Sequence, residues 1–303
     1  MTAEAAAPAN VGPVAERFSP AWLAEKIQCA GLHFAVIGLT VAWMVPAVGL
    51  LISSFRPFKD YSTGWWTALS PPFDFTLDNY SQVLQSGNLV HSLFNSFMIS
   101  IPATVIPVTI AAFAAYAFSW MKFPGRDWLF LSLVGLLAVP LQLSFVPVLS
   151  EYVRIGLTPS NWGFVGVWLA HTGYGLPFSI YLLANFFRAL PSDLFESAEI
   201  DGAGTLTVFF RIVLPLSVPA IASLVIFQFL WIWNDLLVAL IYVGGSPNVA
   251  PVTVTLANLT NSLGQGYNLL TAAAFLSLII PLVVFLALQR YFVRGILAGS
   301  VKG

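Results

Sequence analysis

Apolar side chains fill six long runs of this chain, at about residues 32–55, 93–120, 128–149, 162–187, 214–242 and 269–292. Each is close to or beyond the ~20 residues an α-helix needs to cross a hydrocarbon layer of about 30 Å. The pattern therefore predicts an all-α integral membrane protein with six transmembrane helices. Prolines interrupt the runs at Pro46, Pro102, Pro107, Pro140, Pro147, Pro177, Pro219 and Pro281. Each removes a backbone hydrogen bond and tends to kink its helix, which a membrane tolerates where neighbouring helices or water satisfy the freed carbonyl.

Polar residues collect between the runs in three stretches, 56–88, 188–213 and 244–268. The first is rich in turn residues and aromatics. The last has no Lys or Arg, and its Asn, Thr and Gln suit a surface that meets another molecule, or simply a solvated connector. Composition agrees with the membrane assignment: of 303 residues 58% are hydrophobic and 8% charged, against about a quarter charged in a soluble domain. Six spans leave little length for a separate soluble domain, so we expect a tail over 1–31, a permease domain over 32–303 and a short C-terminal tail over 293–303.

Charge then sets an expected orientation, because cytoplasmic loops retain Lys and Arg. With the N-terminus inside, the inner segments hold Arg17, Lys26, Lys122, Arg126, Arg188, Arg211, Arg290, Arg294 and Lys302. The outer segments hold only Arg56, Lys59 and Arg154. Nine against three places both termini and the 188–213 stretch in the cytoplasm. The first 31 residues lack the apolar core of a cleaved signal and read as a cytoplasmic tail. Trp120, Trp128 and Trp162 fall at span ends, where an aromatic belt is expected.

Several chemistries are excluded. The four lysines follow Glu25, Phe58, Met121 and Val301, so no phosphate-binding Gly-Lys loop is present and the chain carries no ATPase site of its own. His33, His91 and His171 are scattered without a second ligand at metal spacing, and Cys29 is the single cysteine, so neither a metal site nor an internal disulfide is expected. No catalytic residue and no cofactor site emerge, and no cluster of Lys and Arg suggests nucleic acid. Asp235 is the one acidic residue near a span interior, thin support for a proton relay. Asn234 and Asp235 read as polar glue between helices or as part of a gate.

The segment 193–204, DLFESAEIDGAG, is out of character with its surroundings: Asp193, Glu196, Glu199 and Asp201 place four of the 13 acidic residues within nine positions. Ser192 and Asp193 form a helix-start signal, with Ser192 expected to accept from free backbone N–H groups and the acids complementing the positive helix end. Gly202 or Gly204 can take the left-handed conformation that ends it. The expected helix of about ten residues is marginal alone in water and offers Leu194, Phe195 and Ala198 as a packing face. A second short helix is expected over 205–213, ended by Leu214 and Pro215.

The run ESAEIDGAGTLTVFFRIVLP, Glu196 to Pro215, resembles the EAA loop of ATP-binding-cassette importer permeases. Glu196, Ala198, Gly202, Ile212, Leu214 and Pro215 stand at that pattern's offsets, and Ser197 replaces its usual Ala. AAYAFSWMKFPG, the WND of 233–235 and QRYFVRGILAGSVKG are similar to the carbohydrate branch, specifically the smaller permease of maltose-type importers, from about residue 32 to the end.

The resemblance implies a type I importer permease fold in a bacterial or archaeal cytoplasmic membrane. It implies a coupling loop over 190–215, in which Glu196, Ser197, Ala198, Glu199, Asp201, Gly202 and Gly204 dock in a cleft of the ATPase and Ile212, Leu214 and Pro215 lead back into the span. The tail residues Ser300, Val301, Lys302 and Gly303 would reach the ATPase dimer interface. Asn258, Asn261 and Gln265 lie where a related subunit sends a loop into the external binding protein.

Implied partners are a second homologous permease, two ATPase subunits that hold ATP-Mg, a sugar-binding protein and membrane lipid. RPFKDYSTGWWTAL after the first run looks like permeases of α-glucoside importers, suggesting an α-linked disaccharide or glucose, with glycerol phosphate or an amino sugar as alternatives. A stand-alone carrier or channel would explain the spans and kinks but not the fixed-offset loop. A static scaffold would explain only the hydrophobicity.

Overall fold

A computed structural model describes residues 20–85, 88–259 and 266–300, with 20–29 and 291–300 described by their backbone alone. The first apolar run forms α1 (Pro20–Ser54). A segment of two 3-10 turns leads into α2 (Asp78–Gln85), and α3 (Asn88–Trp120) follows as the central span. At 1.5 Å per residue its 33 residues run for about 50 Å. Next come α4 (Arg126–Leu136), α5 (Phe145–Arg154), the short α6 (Pro159–Trp162) and α7 (Val165–Arg188). The chain continues through α8 (Ser192–Ile200), α9 (Thr205–Val208), a π turn (Phe209–Val213), α10 (Leu214–Leu216) and α11 (Val218–Trp233). It closes with α12 (Leu237–Tyr242), α13 (Val252–Asn258) and α14 (Tyr267–Ser300).

Within α1, α3 and α14, three stretches are each long and apolar enough to cross a membrane alone. Two of the expected spans are bent, beside the expected kink prolines Pro140 and Pro219. The run 128–149 is two helices, α4 and α5, meeting at 93°. Pro140 stands in the break, where it cannot extend the ladder of α4 and its ring restricts the residue before it. The run 214–242 is also no single rod: the helix from Thr205 to Leu216 meets α11 at 74°, and α11 stops at Trp233. Counting each bent pair as one span brings the number to five. The 24 residues of α7 match the remaining run in length. Its composition is more polar because protein, not lipid, surrounds much of it.

Small residues let the central helices approach closely. Ala103, Ala111, Ala112 and Ala115 of α3 are buried, as are Gly166, Ala170, Gly175 and Ala184 of α7. With little hydrophobic drive between helices in lipid, van der Waals contact across such small-residue faces holds them. Trp168 adds a direct tie, its indole N–H donating to the Met98 carbonyl at 2.9 Å. By contrast α1 leaves Phe34, Trp43 and Leu32 among its many exposed apolar side chains.

At the end of the bundle opposite α8, buried side chains fasten the connectors. Asn79 of α2 donates to the Ser54 and Arg56 carbonyls at 2.9 and 2.8 Å and accepts from Asn268 of α14 at 2.8 Å. The Arg56 guanidinium, also buried, donates to the Gly64 carbonyl and to Thr63 and Thr67, which folds the 3-10 segment over it. Trp65 of that segment lies against Gly49 of α1, where a β-carbon would come within 2.6 Å of the indole nitrogen.

Candidate functional site

The acidic segment folds as expected at its C-terminal end and differently at its start. Pro191, extended at φ −60° and ψ 129°, precedes α8 without any side-chain cap, and Ser192 is the first helical residue. Its hydroxyl therefore cannot cap the helix; it lies 3.4 Å from the Asp193 carboxylate. At the other end Gly202 has φ +71°, the Gly204 backbone does not, and only Gly202 is in the left-handed region. The Gly202 N–H donates to the Glu199 carbonyl at 3.0 Å and the Ala203 N–H to the Ala198 carbonyl at 2.9 Å. This paired closure satisfies two end carbonyls and packs Ala203 near Ala198.

The following helix is also corrected. Leu214 and Pro215 do not end it, because the π turn over Phe209–Val213 widens the helix ahead of Pro215 and makes room for a ring with no N–H to donate. The bend comes at Ser217 instead. Ile212 and Leu214 are half-buried in the core, while Pro215 and Arg211 are exposed.

One apolar cluster mounts α8 on the bundle. It joins Ala111 and Ala115 of α3, Leu183 and Phe187 of α7, Ala198 of α8, Phe209 and Val213, and Leu224 of α11. Phe195 stacks on Trp120 with ring centroids 3.5 Å apart and planes at 14°. Trp120 also donates its indole N–H to the Phe187 carbonyl at 2.9 Å. Trp128 and Trp162 are exposed as belt residues should be. Trp120 is not one of them: it joins α3, α7 and α8. Beside it, the Ser119 hydroxyl donates to the Ala184 carbonyl at 3.1 Å.

On the opposite side α8 is open. Asp193, Glu196, Glu199 and Asp201 are all exposed, as are Ser197, Gly202, Gly204 and the apolar Leu194, Ile200 and Leu206. The Ser197 hydroxyl is turned back on the Asp193 carbonyl at 2.8 Å. A groove of about 570 Å³ runs beside the helix, between Leu194, Ala198, Asp201, Thr207 and Arg211. A carboxylate rim around exposed apolar side chains suits a partner with basic and apolar side chains, not a catalytic acid.

The remaining expected residues are spread over the molecule. Asn234 donates to the Leu230 carbonyl of its own helix at 2.7 Å. The Asp235 carboxylate accepts from the Ala239 and Val238 N–H groups at 2.9 and 3.4 Å and so caps α12. Residues 244–259 are not an extended loop. Asn95 donates to the Ala250 carbonyl at 3.1 Å, the Ser96 hydroxyl accepts from the Val252 N–H at 2.8 Å, and Ala250, Val252 and Val254 are buried. Asn258 is exposed at the end of α13. Asn261 and Gln265 lie outside the described residues, as do Val301, Lys302 and Gly303 and the side chain of Ser300.

Comparison with known proteins gives a consistent result. Residues 39–298 match a family model described as "Binding-protein-dependent transport system inner membrane component". The osmoprotective compounds uptake permease protein GgtD of Synechocystis sp. is 56% identical over 282 residues, covering 92% of this chain and 94% of that one. The alpha-glucoside transport system permease protein AglG of Rhizobium meliloti is 52% identical over 241 residues, 79% of this chain and 63% of that one. A crystal structure of a bacterial ABC transporter involved in the import of the acidic polysaccharide alginate has a chain of the same fold. It superposes with a TM-score of 0.72 at 19% identity, covering 91% of this chain and 99% of that one.

Proposed function

This chain belongs to the family of binding-protein-dependent transport system inner membrane components, and from that premise we propose that it is one of two homologous permeases of an ATP-driven importer for a small, uncharged glucoside. The observation that carries the coupling role is the mounting of α8. A short acidic helix is locked by the Trp120–Phe195 stack and the Ala198 cluster onto α3, α7 and α11, while its other face is open. Force applied to that face is therefore passed to the spans without loss in a flexible loop.

In this mechanism two ATPase subunits bind ATP-Mg and close as a dimer. Glu196, Glu199 and Asp201 hold the α8 end in the ATPase cleft, Gly202 sets the turn, and the helix from Thr205 to Leu216 moves with α8. The tail residues Ser300, Val301, Lys302 and Gly303 contact the same ATPases. The lysine and arginine distribution supports a cytoplasmic position for this end. An external binding protein docks at the far end near α13 and Asn258, with Asn261 and Gln265 as further candidate contacts. Such a cycle requires ATP and loaded binding protein to favour one conformation over the other.

The substrate class is supported by two arguments. The relatives transport osmoprotective compounds and α-glucosides according to their names. Among the described residues, no Lys or Arg is enclosed in the middle of the bundle, an arrangement that suits hydroxyl-rich neutral solutes better than anions. The α4–α5 break exposes Leu137, Val139 and Leu143 beside a turn without full helical hydrogen bonding. Lipid cannot satisfy such backbone, so this face meets the second permease or the wet solute path.

The test is uptake by vesicles holding the complete complex. Loaded binding protein and enclosed ATP should drive accumulation of an α-glucoside. Accumulation by this chain alone, with no ATPase, would establish a stand-alone carrier instead.

A further inference from the structure

Where α3, α7 and α11 meet, three buried side chains have polar atoms without a hydrogen-bond partner among the described residues: Thr104, His171 and Gln228. They lie at one level. Gln228 sits against Gly175, one turn along α7 from His171. The Trp168 to Met98 bond registers α7 on α3 so that Thr104 falls beside the same turn. His171 is fully buried, edge-on to Trp231 with ring centroids 5.7 Å apart, and neither of its ring nitrogens is satisfied. An ionisable side chain in the membrane interior is costly, and it ordinarily has a partner.

A partner stands just out of reach. An Asp235 carboxylate oxygen is 3.9 Å from His171 Nε2, too far for a hydrogen bond. In this conformation that carboxylate is engaged instead by the first N–H groups of α12. Asp235 also occupies a place that can move. It lies in the break between α11 and α12, and Gly244, two residues past the end of α12 at Tyr242, has φ +87°. The Asp235 carbonyl accepts from the Thr253 hydroxyl of α13 at 2.6 Å. Because α13 is itself held on the outer end of α3 by Asn95 and Ser96, a push on α13 reaches Asp235 through one hydrogen bond.

We propose that His171 and Asp235 form a membrane-buried latch, open in this conformation and closed in the opposite one, which reports docking at α13 to the core of the bundle. On closing, the carboxylate gives up part of its α12 cap and accepts from the His171 imidazole. The same shift offers Gln228 and Thr104 a rearranged polar neighbourhood. The proposal rests on the importer reading, since it needs two conformations set by ATP and binding protein.

The experiment uses the complete complex in nanodiscs, with Cys29→Ser removing the single cysteine of this chain and His171→Cys and Asp235→Cys added. Wild-type complex is assayed first for ATP-dependent uptake in vesicles; its failure overturns the importer reading and the latch with it. With uptake established, oxidative cross-linking of the cysteine pair, identified as a linked peptide by mass spectrometry, is compared between the resting and the vanadate-trapped, binding-protein-bound complex. The latch predicts a yield at least about fivefold higher in the trapped state. Equal or lower yield overturns it while leaving the importer reading intact.

A second measurement covers a cysteine pair that fails to assemble. His171→Gln and Asp235→Asn should each slow uptake about tenfold, and the double variant should be no slower than either, as residues of one unit behave. Multiplying losses would overturn the latch.

Discussion

Trp120 and Phe195 stand face to face at 3.5 Å, although 75 positions separate them and one belongs to a span and the other to the acidic helix. Their stack makes a testable joint. Phe195→Ala removes one ring of a half-buried pair and should lower the thermal stability of the complex by about 2 kcal/mol. In vesicles ATP hydrolysis should continue while uptake falls. Phe195→Leu, which fills most of the space, should restore a large part of the uptake, and a ratio of uptake to hydrolysis unchanged from wild type in Phe195→Ala would show that the stack transmits nothing.

Gly202 and Gly204 provide an internal contrast. Gly202 has φ +71°, where a β-carbon costs about 1–2 kcal/mol and a β-branched side chain more, whereas Gly204 is in an ordinary extended conformation with open space around it. Gly202→Val should uncouple hydrolysis from uptake with the chain still inserted, and Gly204→Ala should behave as wild type in the same assay.

Glu196 is exposed on the open face of α8. Its replacement by Ala should leave the fold intact and weaken ATPase binding by about 1.5–3 kcal/mol, the usual contribution of a hydrogen bond to a charged group. Titration of detergent-solubilised permease pair with the ATPase subunit measures this directly; unchanged affinity would remove Glu196 from the docking surface.

Gly175 and Gln228 interlock where α7 crosses α11: a β-carbon on Gly175 would overlap the Gln228 amide. Gly175→Val should destabilise the complex by about 1–3 kcal/mol through overpacking. Combining it with Gln228→Ala should recover part of that loss, and melting curves of the four proteins give the coupling between the two positions.

Hydropathy made the helical membrane class legible, and the fixed offsets from Glu196 to Pro215 singled out the segment proposed to couple to the ATPase. How sharply two of the runs bend was not legible, for a common reason. Hydropathy is blind to direction, so the turn at Leu137–Pro140 and the bend at Ser217, both within apolar runs, leave the average unchanged. Ser192 was misjudged because a side-chain cap needs its residue just outside the first turn, and Pro191, whose fixed φ suits the extended cap position, took that place. Trp120 at the end of a run has the same signature as a belt residue; only the return of α8 against it distinguishes an anchor from a lipid contact. His171 carried no pattern at all, since its significance depends on Asp235, 64 positions away, at the end of another helix.

The Asn79 knot gives the outermost helix an unexpected use. One amide grips the Ser54 carbonyl that ends α1, the Arg56 carbonyl just beyond it and Asn268 in the first turn of α14, so α1, whose apolar side chains are largely exposed, is tied to the movements of α14. It serves as a pointer needle fixed to a hidden spindle: a fluorophore or spin label on the lipid face of α1, near Trp43, reads the tilt of α14 without disturbing a single packed side chain of the core.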